Sequence, residues 1–280
     1  IDESNKKAIK LVRKITYEHI LKTTIITRDE SKLILSRDRV GKKPLYYSTS
    51  MKNEISFSSS IKALSIITGD KDISKDGLEL YFALGFIPKN HTILRNIFKI
   101  EPGQVKVFSK KDNGFILTES TISKLIHSSK GKKKSFKKLF QESVERRVLS
   151  DVPIATLMSG GVDSTIVSVI TKSILDNTEA FFVDFEDKRF SEKKWADYLS
   201  KRNSINLSRV LMNYEDLMVG FKSYYDAYEE PFADYSGIPT IAIFKKVSNK
   251  YKVVLTGDGG DELFFGYPHY LKKAIIYKFF

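Results

Sequence analysis

Apolar and polar positions divide the 280-residue chain into two styles. Between residues 31 and 58 the apolar positions come in short runs, KLILS, PLYYS and EISFS, separated by RDRVGKK and TSMKN, where turn formers and charges interrupt them. The alternation in ISFS predicts a strand with one wet face. Residues 75–84 carry a helical pattern with Ser74 as the N-cap. TILRNIFKIEPGQVKVFS then returns to strand, with Pro102 and Gly103 as a turn. The first part is therefore expected to be antiparallel β with a little helix.

From residue 134 onward, strand and helix patterns alternate. Helices are predicted over 134–149, 164–175, 191–203, 214–228 and 238–250, the third opened by Ser191 and the last holding Pro239 in its first turn. Strands are predicted over 154–158, 179–185, 205–212 and 251–257. Such alternation implies a parallel sheet with helices on both faces, whose ligands sit at the carboxyl ends of the strands. The expected fold class is α+β followed by α/β, with domains at 1–120 and 135–280 and a linker at 121–134.

Composition narrows the picture. The chain is 41% hydrophobic, long enough for two cores, and has no apolar run of about 18 residues that would read as a membrane span. Residues 1–10 lack the apolar centre of a signal peptide. Cysteine is absent, which excludes disulfides, thiolate metal sites and cysteine nucleophiles from these 280 residues and fits a cytoplasmic location. Ile1 and the terminal AIIYKFF, which carries no helix stop signal, lead to the expectation that the chain is a piece of a longer one. The net charge of +13 raises nucleic acid as a partner. However, the densest run, KGKKKSFKK, interleaves only Phe136, so it reads as a solvated surface and no nucleic-acid partner is expected.

The candidate chemistry lies in two turns. In TLMSGGVDSTIVS, Gly160 and Gly161 follow a strand and open a helix, so backbone N–H groups and the helix start form a site for an anion, most naturally phosphate. Ser159, Ser164 and Thr165 add hydroxyls. Asp163 would repel phosphate unless Mg²⁺ lies between them. The Walker pattern is absent. In LTGDGGDELFFGY, Asp258, Asp261 and Glu262 crowd together, which is costly unless cations or hydrogen bonds hold them. An ordinary capped turn and a solvated acidic turn are the plain alternatives. If both turns leave one sheet edge, they face a single crevice suited to a nucleoside triphosphate with Mg²⁺.

These residues also carry a resemblance. SGGVDS looks like the pyrophosphate loop of ATP pyrophosphatases. SDVPIATLMSGGVDSTIVS, EEPFADYSGIPT and VVLTGDGGDELFFGY together resemble the glutamine-hydrolysing asparagine synthetase family of class B type. LILSRDRVGKKPLYYS is similar to the late hairpin of that family's glutaminase domain, and GFIPKNHTILRNIFKIEPGQ to the segment leading to its linker. The resemblance implies an antiparallel Ntn-type glutaminase part followed by a PP-loop ATP-pyrophosphatase domain. It implies adenylation of aspartate with release of pyrophosphate, then displacement of AMP by ammonia to give asparagine, with ATP and Mg²⁺ as cofactors. By motif position, Ser159, Gly160, Gly161, Asp163 and Ser164 would hold the pyrophosphate, and Asp163 and Asp261 the Mg²⁺. Met158, Val183, Thr256 and Gly257 would line the adenine nucleotide pocket. Asp258 stands where many members have glutamate and would be the acid–base group. Glu229, Glu230, Asp234 and Ser236 match a further stretch; they either bind the amino group of the acceptor substrate or cap the next helix, and the sequence leaves both open.

Two departures shape the expectation. The family's glutaminase nucleophile is an N-terminal cysteine, and its glutamine-binding segments are not recognisable in residues 1–24. The chain as given is therefore expected to use ammonia at best. A lysine that the family also uses would lie beyond Phe280. Relatives amidate sugar acids or close β-lactam rings, so the acceptor stays open. An RNA-modifying ATP pyrophosphatase, supported by charge alone, and a nucleotide-binding remnant without turnover are the other readings. A homodimer is an open alternative. His19, His91, His127 and His269 lack metal-ligand spacing. Trp195 and the tyrosines at 224, 225 and 228 are expected to pack in helices.

Overall fold

The computed structural model describes residues 25–28, 31–49, 54–111, 114–122, 135–186, 191–267 and 270. The chain sorts into two units, Ile1–Lys130 with Tyr225–Tyr235, and Gly131–Tyr224 with Ser236–Phe280. Residues 123–134, most of the expected linker, lie outside the described residues, as do His19, His127 and His269.

The first unit is built on two antiparallel sheets. One runs β1 (Ile25–Arg28), β2 (Lys32–Ser36), β6 (Gln104–Lys111), β7 (Gly114–Ile122); the other runs β4 (Ile55–Ser58), β3 (Tyr46–Thr49), β5 (Phe98–Lys99). Leu33, Leu35, Leu45, Tyr47, Ile100 and Phe108 form its main core. Of the expected strand over 92–109, only Phe98–Lys99 and the part from Gln104 pair into sheets. Thr92 explains much of the rest: its hydroxyl donates to the carbonyls of Leu94 and Ile97, holding that stretch as a turn. Helix α1 (Ile61–Thr68) was not legible in the apolar pattern, being only two turns long; Ser60 caps it by accepting from the amide of Ala63. Helix α2 (Lys75–Leu84) begins and ends where predicted, with Ser74 accepting from the amide of Gly77.

The second unit is a four-stranded parallel sheet in the order β10 (Asn206–Met212), β9 (Glu179–Phe185), β8 (Ile154–Leu157), β11 (Val253–Leu255). Its helices are α3 (Phe136–Glu145), α4 (Val162–Ile174), α5 (Lys193–Arg202), α6 (Tyr214–Tyr228, of which the residues from Tyr225 count with the first unit), α7 (Gly237–Val247) and α8 (Gly260–Phe264). Neighbouring residues of a strand point to opposite faces. Ala180 packs with Val169 of α4 and Leu199 of α5, whereas Phe181 packs with Ile243 and Val247 of α7. The sheet is therefore covered on both faces, which is why its strands read as continuous apolar runs. Three helix starts differ from expectation by two residues; α4 begins at Val162 rather than Ser164. Helix α3 begins at Phe136, capped by Ser135, which accepts from the amide of Lys138; Lys134, where the helix is expected to start, lies outside the described residues. Glu192, not Ser191, is the N-cap of α5; Ser191 accepts instead from the amide of Lys193.

Strand order decides where a ligand can sit. The chain passes from β8 outward to β9 and β10, then returns to place β11 on the other side of β8. The loops after β8 and β11 thus leave the carboxyl ends of adjacent parallel strands where the strand order reverses, the switch-point geometry at which open α/β sheets have a crevice.

Candidate functional site

The loop after β8 is shaped by contact with its surroundings. Gly160 has φ +94°, a left-handed conformation that disfavours a side chain. A Cβ there would also come within 2.9 Å of the Ala196 amide nitrogen and 3.0 Å of Trp195 Cβ, so α5 backs the turn. The serines close the loop on itself. Ser159 donates its amide to Ser164 Oγ at 3.2 Å, and Gly161 donates its amide to Ser159 Oγ at 3.2 Å. Two of the amides expected to meet an anion are therefore held within the loop. The first turn of α4, with Gly161 as an N-cap that makes no side-chain cap bond, leaves first-turn amides without an intrahelical acceptor.

The loop after β11 lies directly on this helix start. A Cβ at Gly257 would be 2.7 Å from the Ser164 amide nitrogen, and one at Gly260 would be 2.4 Å from Asp163 Cγ. Only glycine allows the two turns to approach so closely. Thr256 donates its hydroxyl to Asp258 Oδ2 at 2.8 Å, fixing that carboxylate. Glu262 turns away and accepts from the Tyr267 hydroxyl at 2.7 Å. This bond holds the Glu262 carboxyl below the usual range and pushes the Tyr267 phenol up to about 12.

A cavity of about 640 Å³ opens between the turns, within the range of small-molecule sites. It is lined by Met158, Ser159, Gly161, Asp163, Ser164, Val183, Thr256, Gly257, Asp258 and Asp261. Of the residues expected at the nucleotide or metal site, Gly160 and the buried Thr165 are not in its wall. Leu157, Phe181, Val162, Phe264 and Gly266 also line it, unforeseen from sequence. Leu157 and Phe181 sit in the apolar runs of β8 and β9, where the sequence signals strand and nothing more. Phe264 is set by an edge-on contact with Phe136, ring centroids 5.3 Å apart.

The cavity has two characters: side chains from β8 and β9 supply an apolar wall, and the two turns supply hydroxyls and carboxylates. Among the described residues no group of three or more acids or histidines forms a metal cluster. Asp163 and Asp261 nevertheless offer hard oxygen atoms on one cavity wall, which suits Mg²⁺, an ion that takes one or two carboxylates and completes its shell with phosphate and water.

The remaining candidates lie elsewhere. Glu230, Asp234 and Ser236 do not line the cavity. Glu230 belongs to the first unit, where it forms a largely buried ion pair with Lys99, and burial pushes its carboxyl up against the pull of that lysine. Ser236 is the N-cap residue of α7 but makes no side-chain cap bond. Glu229, in a left-handed conformation, caps α1 rather than the helix that follows it: its carboxylate accepts from Ser60 Oγ at 2.8 Å, the Ile61 amide at 2.7 Å and the Lys62 amide at 3.3 Å. Trp195, expected to pack, is 58% exposed, because the first turn of α5 stands against the Gly160 turn rather than inside the core. Tyr225 is also exposed, whereas Tyr228 packs against Phe232.

Comparison with known proteins gives the frame for this geometry. The asparagine synthase family matches residues 135–280, and the glutamine amidotransferase domain matches residues 19–118. A candidate glutamine-hydrolysing asparagine synthetase of Methanocaldococcus jannaschii is 35% identical over 259 residues, which is 88% of this chain and 49% of that protein. Asparagine synthetase 1 of Bacillus subtilis, also glutamine-hydrolysing, is 30% identical over 91% of this chain and 40% of its own length. The chain thus spans half or less of the length of these relatives.

Proposed function

The chain belongs to the asparagine synthase family, and from that premise we propose that it is the ATP-dependent amide-forming part of such an enzyme, adenylating a carboxylate, aspartate first, and passing the acyl group to ammonia. The observation that carries this reading is the meeting of the glycine turn and the acid turn on one cavity, with Asp163 and Asp261 both in its wall.

The chemistry follows from the residues. The apolar ends of β8 and β9, with Met158 and Val183, take the adenine ring. The first turn of α4 and the hydroxyls of Ser159 and Ser164 take the pyrophosphate tail. When the acceptor carboxylate attacks the α-phosphorus, charge accumulates on the departing pyrophosphate, and preorganised N–H and O–H donors stabilise charge at that position. Mg²⁺, held by Asp163 and Asp261, would supply further neutralisation of the phosphate oxygens. Asp258, which accepts from the Thr256 hydroxyl, would take a proton as ammonia displaces AMP. With no cysteine in the chain, a cysteine-dependent glutaminase step is not assigned to it. Acceptor-binding residues are likewise not assigned, since Glu230 already has Lys99 as its partner.

The test is exchange of labelled pyrophosphate into ATP on the longest natural form, with aspartate and then sugar acids as acceptors. Aspartate-dependent exchange is expected. Exchange with another acid alone would change the acceptor, and nucleotide binding without any exchange would leave a non-catalytic site.

A further inference from the structure

Among the described residues, the cavity wall contains Asp163, Asp258 and Asp261 but no lysine or arginine. A nucleoside triphosphate is a polyanion, and one magnesium ion does not neutralise it. A cation is available one helix away. The backbone of α5 lies against the Gly160 turn, within 2.9 Å of where a Cβ would stand. Because α5 follows β9 in a parallel sheet, its N-terminal turn is at the carboxyl edge, the same edge as the cavity. That turn carries Lys194, and helical side chains lean toward the helix N-terminus, here toward the loop.

Among the described residues Lys194 makes no hydrogen bond or ion pair. Its Nζ stands 5.6 Å from the centroid of the Trp195 ring, and among the described residues it has no carboxylate partner. A cation over a half-exposed indole is weakly held. A charge-assisted hydrogen bond to a phosphate oxygen is stronger. The side chain therefore has a weak resting contact beside a site where a stronger one would become available.

We propose that Lys194 is a phosphate-positioning residue: it rests on Trp195 in the free protein and reaches the polyphosphate tail at residues 159–164 when nucleotide binds. This rests on the nucleotide reading above. It supplies in space the lysine that the glycine turn lacks in sequence. The specificity it adds is for the phosphate chain, not for the base.

The chain itself provides the probe, because Trp195 is its only tryptophan. The whole protein is titrated with ATP, inorganic pyrophosphate and adenosine in Mg²⁺, following both calorimetric heat and tryptophan fluorescence. Wild-type protein should bind ATP and pyrophosphate with a saturable fluorescence change. Lys194→Ala should weaken both by about five- to tenfold at low salt and by less at high salt, as expected for a solvent-exposed charge contact. It should leave adenosine binding unchanged, and Lys194→Arg should restore most of the loss. Trp195→Phe should lose the optical signal and keep the calorimetric one.

Failure of the wild type to bind either ATP or pyrophosphate would sink the nucleotide reading itself. Normal ATP binding with an unaltered affinity in Lys194→Ala would overturn the role of Lys194 alone. So would an equal loss of adenosine affinity, which would mark a structural defect, or saturable binding without a fluorescence change, which would mean that the lysine does not leave the ring.

Discussion

Two acidic stretches in this chain look alike on paper and differ in what answers their carboxylates. In the first unit, Glu229 receives three donors from the start of α1, and Glu230 is held by Lys99. In the second, Asp163 and Asp261 face a cavity, and among the described residues no donor is bonded to either carboxylate. A carboxylate satisfied by the chain's own donors contributes to folding, whereas solvent-facing carboxylates without such donors stay available to a cation from outside. Glycine marks the same difference. Gly257 and Gly260 let backbone and acid approach each other, while Glu229 adopts a left-handed conformation without glycine because three hydrogen bonds hold it there.

The comparison can be broken most directly at Asp261. Asp261→Asn should lower pyrophosphate exchange by about 100-fold or more while the melting temperature stays nearly that of the wild type. A large loss of stability would move Asp261 into the structural class. The opposite pattern is expected at Glu230. Glu230→Ala leaves Lys99 buried without its partner and should cost about 3 kcal/mol in urea denaturation, with pyrophosphate affinity retained by calorimetry.

A smaller effect should follow at Glu229, where Ala removes a helix cap worth about 1 kcal/mol; a Glu229→Ala protein of unchanged midpoint would mean that Ser60 suffices as a cap. The mildest test uses Glu179, a buried acid of β9 that accepts from Lys250 Nζ at 2.6 Å, from Tyr251 OH at 2.7 Å and from Ser208. Burial pushes its carboxyl up, but these bonds and the Lys250 charge outweigh burial and hold it below the ordinary range. A depressed folded-state pKa contributes stability above the ordinary glutamate value, and that stability is lost as pH falls through the folded value. The melting temperature should therefore fall as pH drops below about 4, and Glu179→Gln should flatten that fall.

Local pattern carried far in the second unit. The strand Glu179–Phe185 and helix Tyr214–Tyr228 begin and end where periodicity places them, because apolar runs closed by polar residues leave few alternatives. In the first unit the eight residues of α1 give too little repeat to distinguish from strand, and the cap that stabilises it comes from Glu229, 168 residues away from Ile61. The two turns stood out as candidates because glycine and acid in that density have few structural uses.

By itself, then, the sequence determined the order of strands and helices in the second unit, the two turns and the chemistry their residue types can perform. Only the tertiary structure decided that β11 lies beside β8, that Glu229 and Glu230 are consumed in the first unit, and that Trp195 and Lys194 stand against Gly160. The physical reason is that periodicity and turn chemistry act over a few residues. Strand order, and the partner that satisfies a carboxylate, depend on contacts between residues far apart in the chain.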